Sequence, residues 1–176
     1  QIFLKNQDYS RFILGLKIFN DMDPKYDIWT TLRYNKESTL GSPGDPSVDS
    51  RDPYVDILAF ALMPNHYHIL ISPIKNNGVS SFMHKMGGYS RYFNLQNNRT
   101  GTLFESKYKA VEIKEEMQLV NIFNYIHTNP VELIEPGWKD FEVKNKNAAL
   151  KYLENYRWSS YNDYIGKNVF PSVIKK

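Results

Sequence analysis

The chain has 176 residues, 41% of them hydrophobic, which is enough to fill one core and points to a single domain over 1–176. It contains no cysteine, which excludes disulfides and thiolate metal sites, and no apolar run long enough to span a membrane, so a soluble protein is expected. The net charge of +3 permits a nucleic-acid partner without demanding one, and the 15% aromatic content suits either stacked single-stranded bases or an aromatic core.

The chain begins at Gln1 rather than Met, so a preceding N-terminal segment is expected to be missing. Asn6 to Tyr9 reads as a helix start, followed by Phe12, Ile13, Leu16, Ile18 and Phe19 at mostly helical spacing. Ile28 to Arg33 is a short apolar patch of undecided type. Gly, Pro, Ser and Asp then crowd residues 41–53, which predicts an exposed, mobile loop.

Val55 to Met63 is dense in apolar residues and predicts a buried strand. Pro64-Asn65 is a turn signal, and His66 to Ser72 a second strand. So short a connection implies an antiparallel hairpin. Asn76-Asn77-Gly78 is another turn. A helix follows over about Ser81 to Asn94, capped by Ser80 or Ser81, with Gly87-Gly88 marking close approach of another backbone. Lys107 to Ile113 alternates with the period of a strand. Glu115 opens a helix with acidic residues in its first turn, running towards Asn129-Pro130, and a further helix lies around Asn147 to Glu154. The mixture, with a hairpin as its best strand pair, predicts an α+β domain in which helices cover one face of an antiparallel sheet.

The chemistry concentrates in Met63-Pro64-Asn65-His66-Tyr67-His68. Side chains at i and i+2 of a strand leave the same face, so His66 and His68 point together, close enough to share one metal ion, and Tyr67 points the other way. A His-x-His pair is also often structural, each ring satisfied locally. Two imidazoles hold an ion weakly without a further ligand, and imidazole suits Mn or Zn better than Mg. On the helix ending at Pro130, Tyr125 and Asn129 stand at i and i+4 and share a face. If that face lies over the histidines, the Asn129 amide would complete a site and Tyr125 would be held one turn away. A phenol is a poor nucleophile unaided, with a pKa of about 10, but a metal on the scissile phosphate helps it. Tyr89 and Tyr92 are its rivals, yet neither brings an oxygen ligand one turn later. His127 falls off the Tyr125 face and is read as structural or DNA-facing. His84 is read as exposed or packed. Lys85, Arg91, Arg99, Lys107 and Lys109 are candidates for following DNA phosphates.

These segments together resemble the REP-associated tyrosine transposases, single-tyrosine members of the HUH single-strand endonucleases. The likeness rests on the His66-Tyr67-His68 signature, Tyr89 to Asn94 with Arg99-Thr100-Gly101, Leu103 to Lys109, Tyr125-Ile126-His127-Thr128-Asn129-Pro130 and Trp158-Ser159-Ser160-Tyr161. The resemblance implies a ferredoxin-like sheet, His66, His68 and Asn129 as metal ligands, Tyr125 as nucleophile, and Mg or Mn as the ion. It implies a cytoplasmic, nucleoid-associated monomer or homodimer acting on single-stranded or hairpin DNA. The family's usual first strand, ending near Asn-Arg-Gly, is missing, and the loop at 41–53 is longer than usual. Two other readings stay open. One is a non-catalytic DNA-hairpin binder; the other is a hydrolytic metal phosphodiesterase that leaves no protein-bound product.

Overall fold

The computed structural model describes residues 1–22, 52–138 and 142–176. The patch at 28–33 and the loop at 41–51 lie outside the described residues. Strands β1 (Val55–Met63) and β2 (His66–Pro73) pair antiparallel across the Pro64-Asn65 turn. In this register Met63 opposes His66, Leu62 opposes Tyr67 and Ala61 opposes His68. The ladder shifts between Ile57 and Ala59, so one extra residue, Leu58, changes the parity of β1. Ile57 and Phe60 therefore face the same core although they are three apart, while Leu58, Ala59 and Ala61 face the other side.

Six α-helices are found among the described residues: α1 (Asn6–Ile18), α2 (Gly78–Met86), α3 (Gly88–Gln96), α4 (Glu116–Thr128), α5 (Lys146–Asn155) and the short α6 (Tyr161–Tyr164). A 3-10 turn (Asn129–Leu133) continues α4. The fold class is α+β, as the sequence predicts. The helices do not keep to one face, however. Phe12, Ile13 and Leu16 of α1, Phe82 and Met86 of α2, and Tyr89 and Phe93 of α3 bury one side of the hairpin with Phe60 and Leu62. Helix α4 lies on the other side, where Ile126 packs on Ala59, Ala61 and Leu70. Alanine at both central β1 positions lets that helix approach closely, so both faces of β1 are buried.

Asp8, at the third position of α1, turns back to accept the Leu4 and Lys5 N–H groups at 2.9 and 3.0 Å, which caps donors the helix leaves orphaned. The expected single helix over 81–94 is two. It starts earlier, at Gly78, behind Asn77 in the left-handed region (φ 58°) rather than behind a serine cap. It breaks at Gly87, and Gly88 faces the Phe19 ring, not a foreign backbone. The strand expected over Lys107 to Ile113 does not form. Those residues lack regular structure and are exposed on both sides apart from Ile113, so alternation found no sheet edge to pair with and no core to face.

The outer edge of β1 is covered instead from the C-terminal end. Leu62 N donates to Trp158 O at 2.9 Å, Ser160 N to Phe60 O at 3.0 Å, and Lys175 N to Ile57 O at 2.9 Å. Ile2 and Phe3 donate to Pro64 O at the hairpin tip. Among the described residues no helix is long and apolar enough to cross a membrane.

Candidate active site

The hairpin and α4 build the site between them. His66 and His68 leave the same face of β2, with ring centroids 5.0 Å apart and nearly perpendicular. Tyr67 leaves the opposite face and packs on Phe12 of α1 at 4.8 Å, which locks the register, since a one-residue slip would bury the histidines and expose the tyrosine. Asn65, read from sequence only as a turn residue, has a second role: its Oδ1 lies 2.8 Å from His66 Nδ1. An amide oxygen only accepts, so Nδ1 carries the proton and Nε2 is the ring's acceptor nitrogen.

Helix α4 brings Tyr125 to this face. Its ring meets that of His68 edge-on at 5.3 Å. Asn129 keeps helical backbone angles and donates its N–H to the Tyr125 carbonyl, so the two side chains stand one turn apart on one side of the helix. Asn129 is fully buried, and neither its amide oxygen nor its amide nitrogen has a hydrogen-bond partner. A buried amide in that state costs roughly 1–3 kcal/mol, so its retention asks for a ligand. Among the described residues no group of three His, Cys, Asp or Glu could hold a metal ion. A site here would therefore need the amide oxygen as its third protein donor.

The rival tyrosines are in the core. Tyr89 donates to Ile2 O at 2.7 Å, Tyr92 is equally enclosed, and burial raises the pKa of both phenols above the ordinary value. Tyr125 is partly exposed and is the one of the three that a substrate can reach. His127 is buried, its Nε2 2.8 Å from Ser160 Oγ, and burial lowers its pKa from 6.5 to about 4, which keeps it neutral. It faces Phe123, Tyr161 and Tyr164 rather than solvent. His84 is exposed.

Two of the five candidate DNA-binding cations lie on the other side of the hairpin from the histidines. Lys85 and Arg91 belong to α2 and α3, on the opposite face of the sheet. Lys85 donates to Asp21 O at 2.7 Å and lies over the Tyr54 ring. Arg91 is exposed, Arg99 lies over the Phe93 ring, and Lys107 and Lys109 sit exposed on the irregular segment before α4.

Residues 50–129 match the family model described as transposase, IS200-like. The matched span holds the hairpin with both histidines and all of α4, and its last residue is Asn129. Comparison with curated proteins and with solved structures returns no match. Through this segment, a little under half of the chain, the protein is similar to IS200-like transposases.

Proposed function

We propose that the chain nicks and rejoins single-stranded DNA beside hairpins through a covalent 5′-phosphotyrosine at Tyr125. His66, His68 and Asn129 would hold a divalent ion, Mg or Mn. The observation that carries this reading is a pair of histidine rings facing a reachable tyrosine, with a buried amide without partners one turn further along the tyrosine's helix. The donor set fits such an ion: two ring nitrogens and one amide oxygen, with the imidazoles favouring Mn over Mg. When bound, the ion supplies charge stabilisation at the scissile phosphate.

The chain's own residues do the rest. The Tyr125 oxygen attacks phosphorus and gives up its proton; the O–P bond to the 3′ side breaks, and the departing 3′ oxygen takes a proton. Energy of the broken phosphodiester stays in the phosphotyrosine, so a later 3′ hydroxyl can reverse the step and rejoin a strand. Asn65 holds the His66 ring in the tautomer that leaves Nε2 as acceptor. Arg91, Arg99, Lys107, Lys109 and Lys85 would meet the phosphates of the strand, Lys85 by exchanging its contact with Asp21. Such a substrate suits a nucleoid-associated protein of the cytoplasm, acting as monomer or homodimer.

The test is a denaturing gel with labelled single-stranded hairpin DNA from the flanks of this protein's own gene. A covalent adduct is expected with Mn²⁺, absent with chelator and absent in Tyr125→Phe, while that variant still binds the hairpin. Specific binding by the wild type with no adduct in any metal would instead identify a hairpin-binding protein. Release of free ends without adduct would identify a hydrolytic phosphodiesterase.

A further inference from the structure

We infer that His127 and Ser160 form a positioning tie that sets the roll of α4, and with it the direction in which Tyr125 and Asn129 point. The inference rests on the proposed role of Tyr125. Within α4, Tyr125 and Asn129 share one side, whereas His127 lies on the far side, about 200° round the helix from Tyr125. That far side meets the segment that covers the outer edge of β1. Ser160 is fully buried; its Oγ lies 2.8 Å from His127 Nε2, accepts the Phe60 N–H at 2.9 Å and sits 3.2 Å from Phe60 O. Phe60 is next in β1 to Ala61, the ladder partner of His68.

The helix is therefore held on one flank against β2, where Tyr125 meets His68, and on the other through Ser160 to β1 itself. The apolar contacts of Ile126 with Ala59, Ala61 and Leu70 fix how close α4 lies but are non-directional. A hydrogen bond between two buried groups is directional and supplies the missing rotational constraint. The lever matters because a side chain roughly 9 Å from the helix axis moves ~1.5 Å for a roll of about 10°. Misplacement of about 1 Å can cost on the order of a hundredfold in rate.

The experiment compares wild type, His127→Phe, His127→Gln and Ser160→Ala in the full chain. His127→Phe keeps a ring in the aromatic surroundings and deletes the tie; His127→Gln retains a group able to bond Ser160. The first readout is single-turnover adduct formation with Mn²⁺. Expected is a fall of about 100-fold in the rate at saturating DNA for His127→Phe, with half-saturation within about twofold of wild type, and recovery to within about tenfold in His127→Gln. The second readout needs no turnover: the fluorine resonance of 3-fluorotyrosine incorporated at Tyr125. It is expected to shift or split in His127→Phe and Ser160→Ala and to return towards wild type in His127→Gln. A wild-type resonance and wild-type rate in folded His127→Phe would overturn the inference. If neither His127→Phe nor Ser160→Ala folds, the pair is a folding contact, which also overturns it. A wild type that forms no adduct would fail the transposase chemistry, while the fluorine comparison would still decide the tie.

Discussion

Asn129 is where stability and the proposed chemistry conflict. Its amide is buried with both polar atoms unpartnered, so a residue of similar volume without them should suit the ion-free chain better. Asn129→Leu is expected to raise stability in chelator by about 1–2 kcal/mol, read from the urea midpoint, and to abolish adduct formation. Lower stability in chelator would mean that the amide has a structural partner. His127 makes the second residue-scale prediction. Its pKa falls from 6.5 in the unfolded chain to about 4 in the folded one, so between these values the unfolded chain binds the proton that the folded chain refuses. Its contribution is therefore complete above pH 6.5 and is lost as pH falls through about 4. Urea midpoints at pH 7 and pH 5 in chelator should differ more for wild type than for His127→Gln. Equal differences would show that other groups carry the acid sensitivity.

At the scale of elements, the start of α2 shows how tightly the hairpin is joined to the helices behind it. A Cβ on Gly78 would collide with the Tyr54 carbonyl oxygen, which already accepts the Ile74 and Lys75 N–H groups. That carbonyl cannot give way without loosening the end of β2. Gly78→Ala is expected to cost about 1–3 kcal/mol in urea unfolding, and a neutral result would show that α2 can shift as a body. The turn was legible because Asn-Gly is a turn signal, with Asn77 taking the left-handed position, whereas the contact of Gly78 with Tyr54 was not. The break at Gly87 was not, because a glycine inside a helical pattern is usually tolerated and only the Phe19 ring packed beside Gly88 distinguishes this one.

At the scale of the whole molecule, the hairpin is a shared wall. Its aromatic side carries the larger core with α1, α2 and α3, and its alanine side carries α4 and the candidate site. Tyr67 belongs to the first and its two neighbouring histidines to the second, so stability of the core and geometry of the site share one register. The outer edge of β1 is closed by residues about a hundred positions downstream, through the Ala61–Ser159 bridge and the contacts of Ser160. Covering that edge leaves no row of unpaired β1 groups beside the helix that bears Tyr125.

Strand periodicity alone determined that His66 and His68 face one way and Tyr67 the other, and helix periodicity that Tyr125 and Asn129 share a side. Both follow from local geometry that the chain carries wherever it folds. Tertiary structure decided which elements those faces meet. It put α4 on the opposite side of the sheet from α1, α2 and α3, through the small Ala59 and Ala61. It left Lys107 to Ile113 without a partner strand, and it separated the buried Tyr89 and Tyr92 from the reachable Tyr125. It also joined His127 to Ser160 across 33 positions, a bond that no spacing rule contains because it depends on how two distant segments pack rather than on either one.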